Sequence, residues 1–217
     1  MRDSYRKQLE TLHISLIRMG AFCEEAIANA VKGLLDEDMS ITAEVERTEK
    51  EINLMEREIE AFCLRLLLRE QPVAGDLRQI TAAQRIITDM ERIGDQAADI
   101  AELSTFMVGS PVKSDIRIGD MARAAVKMLT DSVDAFVGND LEKARAVIAY
   151  DDVVDDLFDE VKNELISLIA KDGNSGGACL DLLMIAKYLE RIGDHATNIA
   201  ECVEFSVTGH RGTEDEL

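Results

Sequence analysis

The chain opens with two long segments in which apolar residues recur every three or four positions. The spacing runs from Leu9 to Ala30 in the first segment and from Ile41 to Leu66 in the second. This period places the apolar side chains along one side of an α-helix, so each segment predicts a helix that packs over its whole length. The acidic run at 36–38 predicts a polar corner between them.

A third helix is predicted from about Leu77 to Met107. It follows residues 71–75, where a proline and a glycine break the helical period, and Asp76 is its expected N-cap. Gly109 and Pro111 are expected to stop it.

The second half of the chain repeats the first. A shift of 102 residues aligns the first two helices with a second pair, so that Val45 falls on Val147. For the third helix the shift is 99, and the sequence Glu-Arg-Ile-Gly-Asp at 91–95 recurs at 190–194. Nine of the twelve positions at 91–102 are identical to those at 190–201. A repeat this long indicates a duplicated structural unit.

The repeat predicts an all-α fold of six helices, each near 30 residues. The expected architecture is a tandem pair of pseudo-symmetric, elongated three-helix bundles. The expected boundaries are residues 1–109 for the first bundle and 110–217 for the second.

Each copy of the third helix carries acidic residues spaced so that they share one face. Like charges one turn apart repel by roughly 0.2–0.5 kcal/mol on an exposed helix, and a bound cation would relieve this repulsion. Carboxylate oxygens suit Mg²⁺, Ca²⁺, Mn²⁺ or iron. With 43 acids in the chain, a solvated acidic face without metal is the open alternative. The positions are Glu91, Asp95, Asp99 and Glu102 in the first copy, and Glu190, Asp194, Asn198 and Glu201 in the second.

Two glycines lie in the middle of these acidic helices, at Gly94 and Gly193. A glycine there costs about 1 kcal/mol relative to alanine. Close approach of another helix or of a ligand would explain both.

The sequence offers little support for other chemistry. The four cysteines have no C-x-x-C spacing, so buried free thiols are expected rather than a disulfide or zinc framework. His13 is expected to be a helix-surface residue, because its E-x-x-H string with Glu10 has no second copy. His195 is expected to be solvated, because its counterpart in the first repeat is Gln96 and it points about 100° away from Asp194. The sequence shows no recognisable catalytic nucleophile, general base or glycine-rich loop for phosphate binding.

The net charge makes some classes of binding partner unfavourable. Acids outnumber bases 43 to 24, for a net charge of −19, which disfavours nucleic acid and unaided contact with anionic membranes. No apolar run of about 18 residues and no signal-peptide core occurs, so a cytoplasmic protein is expected.

The doubled Glu-Arg-Ile-Gly-Asp motif, within two copies of a three-helix unit, resembles the PhoU family of phosphate-signalling regulators. The resemblance extends over essentially the whole chain. It includes Thr-Glu-Lys-Glu-Ile-Asn-Leu-Met-Glu at 48–56 and Gln-Pro-Val-Ala-Gly-Asp-Leu-Arg at 71–78.

The resemblance implies metal binding through the E-x-x-x-D motifs. The implied ions are divalent or trivalent and could form multinuclear clusters, with iron first and manganese, magnesium or zinc as alternatives. Asn53 and Asp155 match a further family position and could complete the metal shells, as could Glu102 and Glu201. The implied ligands are Glu91, Asp95, Asp99, Glu190, Asp194 and Asn198.

The resemblance also implies a non-enzymatic negative regulator of phosphate uptake and phosphate-starvation signalling. Such a protein is an adaptor between the ATPase subunit of a phosphate ABC transporter and a sensor histidine kinase. A homodimer is expected, with membrane association through protein partners only. The alternative is a metal-dependent enzyme or metal-storage protein that uses the same carboxylates.

Overall fold

The computed structural model describes residues 2–110, 112 and 117–210, and α-helices dominate this part of the chain. No β-strand occurs within those ranges, so the predicted all-α fold is confirmed. The polar corner at 36–38 separates the first two helices, as predicted. The helices are α1 (Arg2–Asp36), α2 (Ser40–Glu70), α3 (Gly75–Ser104), α4 (Ile118–Gly138), α5 (Leu141–Lys171) and α6 (Gly176–Thr208).

The bounds of α3 and the length of α4 differ from the sequence prediction. Asp76 is not the N-cap of α3, because the helix begins at Gly75, two residues before its predicted start, and Ala74 holds the cap position with φ 45°. Asp76 lies instead in the first turn, where a negative charge interacts favourably with the helix dipole. α3 ends at Ser104 rather than near Met107, and the predicted stop at Pro111 lies outside the described residues. α4 has 21 residues rather than about 30.

The two repeats pack together along their length. In each repeat the second helix lies against the first and third, so that α2 covers α1 and α3 while α5 covers α4 and α6. Between repeats, α3 contacts α6 and α1 contacts α4. Fully buried Met19, Met90 and Leu189 belong to one hydrophobic cluster that runs through both repeats. The two three-helix units therefore share a single core.

Contacts between α3 and α6 show the pseudo-twofold relation directly. The Tyr188 hydroxyl faces the Asp99 carboxylate. At the other end of the α3–α6 interface, Asn198 Nδ2 donates a hydrogen bond to Asp89 Oδ1 at 3.2 Å. The shift of 99 that aligns α3 with α6 converts position 89 into 188 and position 99 into 198. The two contacts are therefore copies of one another, related by the pseudo-twofold axis.

The two mid-helix glycines allow close packing within each repeat, as predicted. A Cβ atom on Gly94 would lie 3.0 Å from Ile52 Cδ1 of α2. A Cβ atom on Gly193 would lie 3.3 Å from Val154 Cγ1 of α5. The neighbour is a helix of the same repeat in both cases.

The four cysteines are buried and free, which confirms the prediction of core thiols. Cys23 Sγ donates to the Met90 carbonyl oxygen at 3.3 Å, within the interface of α1 and α3. In the described part of the chain no helix combines the length and apolar character needed to cross a membrane.

Candidate metal-binding faces

The first acidic cluster, called face 1, lies between α2 and α3. The close contact of Ile52 with Gly94 holds these helices side by side, so that polar residues of both reach the same surface. The charges of Glu49, Glu56 and Asp95 all act on Glu91, which places the four carboxylates together. The members of face 1 are Glu49, Asn53, Glu56, Glu91 and Asp95.

Burial and like charge raise the pKa of Glu91 above its ordinary value. Burial is the larger cause, and the neighbouring Asp95 carboxylate is the next. Arg92 opposes the rise, with Nε 3.4 Å from Glu91 Oε2 and Nη1 3.5 Å from Asp95 Oδ2. Because the Arg92 side chain is 56% exposed, these ion pairs are screened by water and compensate the clustered charge only weakly.

The second acidic cluster, face 2, lies between α5 and α6 and consists of Asp151, Asp155, Glu190 and Asp194. Burial, followed by the Glu190 and Asp151 carboxylates, raises the pKa of Asp194. Burial, followed by Asp155, also raises the pKa of Asp151. Lys187 Nζ lies 2.5 Å from Glu190 Oε1 and partly offsets the negative charge. The two faces thus share the same kind of destabilised anionic cluster.

Each face contains a buried oxygen acceptor that lacks a hydrogen-bond donor among the described residues. These atoms are Asn53 Oδ1 on face 1 and Glu190 Oε2 on face 2. An unsatisfied buried acceptor is costly, and a cation would satisfy it. Within the described ranges, however, no three His, Cys, Asp or Glu side chains already converge as a formed metal site. The oxygen donors fit a hard metal ion, but Glu91 and Asp95 pair with Arg92, and Glu190 pairs with Lys187.

Four predicted ligands lie at the margins of the faces. Asp99 faces Tyr188 and Arg191 of α6, although the Asp95 and Glu102 charges also act on it and help burial to raise its pKa. The hydrogen bond of Asn198 runs to Asp89 on α3, away from α5. Glu102 and Glu201 are exposed. The structure therefore groups Glu91 with Asp95 and Glu190 with Asp194, whereas ligand roles for the four marginal residues stay predictions.

Glu49, Glu56 and Asp151 were not among the predicted ligands. A signal was available, because the shift of 102 aligns Glu49 with Asp151 and Asn53 with Asp155. Both second helices thus carry an acid followed, one turn later, by a carboxylate or amide. The two faces are not equal, since the counterpart of Glu56 is a phenylalanine at position 158.

His13 and His195 are both less exposed than predicted. His195 Nδ1 lies 2.9 Å from Asp89 Oδ1, and the His195 side chain is only 23% exposed. His13 packs edge-on against Phe136, with 5.8 Å between ring centroids. Burial lowers the pKa of His13, while the Glu10 charge acts in the opposite direction. Each histidine contacts the opposite repeat, so both contribute to the packing of the repeats.

The fold and the two faces define a class of helical protein built from a duplicated, acid-bearing three-helix unit. The family model described as the PhoU domain matches residues 16–104 and again residues 118–203. The chain belongs to the PhoU domain family.

Relatives of known name cover nearly the whole chain. A phosphate-specific transport system accessory protein PhoU homolog from Clostridium acetobutylicum is 36% identical over 210 residues, which are 96% of each chain. The homolog of the same name from Pseudomonas aeruginosa is 33% identical, over 95% of this chain and 86% of its own length.

Two crystal structures share the fold. That of PhoU from Pseudomonas aeruginosa superposes with a TM-score of 0.88 at 33% identity, covering 95% of this chain and all of that one. That of the phosphate transport system regulatory protein PhoU from Streptococcus pneumoniae has a TM-score of 0.87 at 26% identity, covering 95% and 98%.

Proposed function

We propose that this chain is an accessory regulator of phosphate-specific transport that catalyses no reaction. The observation that carries the proposal is the family match over both repeats, together with relatives named as accessory and regulatory proteins of that transport system. In this role the protein restrains phosphate uptake and phosphate-starvation signalling. It connects the ATPase subunit of a phosphate ABC transporter to a sensor histidine kinase.

The negative charge of the chain favours recruitment to the membrane through protein partners. A protein of net charge −19 is repelled by an anionic inner leaflet, so recruitment through protein partners is favoured over lipid binding. We expect the protein to act from the cytoplasm as a homodimer.

We further propose that faces 1 and 2 each bind one or more divalent or trivalent metal ions. The buried oxygens of Asn53 and Glu190 support this, because neither accepts a hydrogen bond from a described residue and a metal cation could coordinate each of them. Iron is the first candidate, followed by manganese, magnesium and zinc. Asp99 and Asn198 would join only by turning away from α6 and α3. The residues that would hold the metal are Glu49, Asn53, Glu91 and Asp95 on face 1, and Asp151, Asp155, Glu190 and Asp194 on face 2.

When bound, the metal would supply positive charge to a cluster whose carboxylates now repel one another. The residues of each face supply oxygen ligands from two helices, so metal binding would strengthen the contact of α2 with α3 and of α5 with α6. This links metal occupancy to the stability of each repeat.

Deletion of the gene tests the regulatory role. We expect phosphate-starvation genes to be expressed in phosphate-rich medium, and the intact gene to restore their repression. A normal phosphate response together with altered cellular metal content would contradict the regulator and favour the metal store or metal-dependent enzyme.

Elemental analysis of protein purified without added metal tests the faces. A variant lacking two carboxylates on each face should lose the metal, whereas a control lacking four exposed acids elsewhere should keep it. Equal metal content in the two variants would refute the assignment. The test variant is Glu91→Ala/Asp95→Ala/Glu190→Ala/Asp194→Ala, and the control is Glu44→Ala/Glu51→Ala/Glu142→Ala/Asp156→Ala, whose positions are all exposed.

A further inference from the structure

A groove between α1 and α2 combines an apolar floor with a rim of arginines. It has a volume of about 610 Å³ and is lined by residues of both helices. Buried Met55 and Ile59 form part of the floor together with Phe62, and Ile14, which is 66% exposed, lies on the α1 wall. The rim arginines are Arg18, Arg57 and Arg65.

Within the part of the chain that the structure describes, no carboxylate neutralises these arginines. Among the described residues, none of the three forms an ion pair, although one carboxylate, Glu58, also lines the groove. Arg18 lies over the Phe22 ring and Arg65 over the Phe62 ring, each with the guanidinium carbon 5.6 Å from the ring centroid. Stacking on a ring orients a guanidinium and leaves its N–H donors free to bind an anion.

The equivalent surface of the second repeat has the opposite character. The shift of 102 places Asp120, Asp159 and Ser167 where the first repeat has its three arginines. The two acids there are already neutralised, Asp120 by Arg123 and Asp159 by Lys162. Of these two equivalent surfaces, as far as the structure describes them, the one on the first repeat presents unpaired arginines, in a chain that is otherwise strongly acidic.

We propose that the α1–α2 groove binds an acidic amphipathic helix of a partner protein. An apolar stripe on that helix covers the floor, as in helix-in-groove recognition, and acidic residues beside the stripe pair with the three arginines. The apolar floor favours such a helix over inorganic phosphate, which would gain nothing from covering Ile14 and Phe62. The proposal goes beyond the regulatory role and stands whether or not the two faces bind metal.

The test uses a labelled synthetic 20-residue helix with leucines at i, i+3, i+4 and i+7 and glutamates at the other positions. Its binding to the full chain is measured by fluorescence anisotropy near physiological salt. We expect Arg18→Glu/Arg57→Glu/Arg65→Glu to weaken binding about tenfold or more. Ile14→Asp, at an exposed position, should weaken it about threefold without unfolding the protein.

A matched control separates the groove from overall charge. Arg117→Glu/Arg123→Glu/Lys162→Glu changes the net charge by the same amount on the second repeat, and its affinity should stay within twofold of the unaltered protein. Equal losses in the two triple variants, or no binding to the unaltered protein, would overturn the proposal. So would arginine-dependent binding of phosphatidylglycerol vesicles without binding of the peptide, because the partner would then be a membrane.

Discussion

Replacing Gly94 with alanine probes how closely α2 and α3 are packed. The new Cβ would lie 3.0 Å from Ile52 Cδ1 and 3.2 Å from Ile52 Cγ2, and Ile52 is fully buried. Alanine in place of glycine stabilises a helix interior by about 1 kcal/mol. Overpacking a close-packed core costs about 1–3 kcal/mol. We therefore expect a net loss of about 1 kcal/mol in the free energy of unfolding, or a fall in Tm of about 2–4 °C.

The second repeat provides the control, and a double mutant isolates the contact. At Gly193 the nearest atom would be one Val154 methyl at 3.3 Å, so Gly193→Ala should change the stability little. Ile52→Val removes Cδ1 and alone costs about 0.5–1.5 kcal/mol, but combined with Gly94→Ala it should cost less than the sum. Urea unfolding followed by circular dichroism measures all four variants. Equal stability of the two alanine variants, or strict additivity in the double mutant, would show that the Ile52 contact does not limit the packing at Gly94.

Three other predictions concern pH, an inter-repeat contact and the thiols. Because the pKa values of Glu91 and Asp194 are raised, the native state binds these protons more tightly than the unfolded state does. Both groups therefore lower the free energy of unfolding of the metal-free protein as the pH rises above about 4. Glu91→Gln should therefore gain stability relative to the unaltered protein between pH 4 and 7 in denaturant titrations, and a constant difference would count against this. Arg78 Nε donates to the Ser206 carbonyl oxygen at 3.2 Å, so Arg78→Ala should lower the free energy of unfolding by about 1–2 kcal/mol, with Arg78→Lys as the control that retains the charge. Burial raises the pKa of the Cys63 thiol to about 12, and all four buried thiols should react with dithionitrobenzoate only after unfolding, so rapid labelling of native protein would contradict their burial.

Sequence reasoning succeeded where the information is local. The apolar period determines which side of a helix is buried, and the repeat of that period establishes six helices and their pairing by halves. The glycines in the acidic helices also indicated close packing at the correct turns. The N-terminus of α3 was misplaced because Gln71 and Ala74 both have positive φ, at 47° and 45°, which residues other than glycine, asparagine and aspartate seldom adopt.

Contacts between distant segments were not predictable from spacing alone. The pairing of His195 with Asp89 joins residues 106 positions apart, and it depends on how α6 is rotated against α3. The same limit hid Glu49 from face 1, since the period of α2 locates its buried side but not which polar edge lies beside α3. The hydrogen bond from Asn198 to Asp89 of the opposite repeat was also not predictable from spacing, and the ligand role of Asn198 stays a prediction.

The single core shared by both repeats affects how the sequences of the two halves can diverge in evolution. The arrangement is that of a two-subunit assembly whose subunits have been joined into one polypeptide. In an assembly of identical chains, every substitution appears twice, and a surface cannot differ between the subunits. Covalent joining removes that constraint while the shared interior keeps the halves together. Equivalent positions can then differ, such as Asn53 and Asp155 or Arg57 and Asp159. One repeat can therefore acquire a new surface while the other keeps its own.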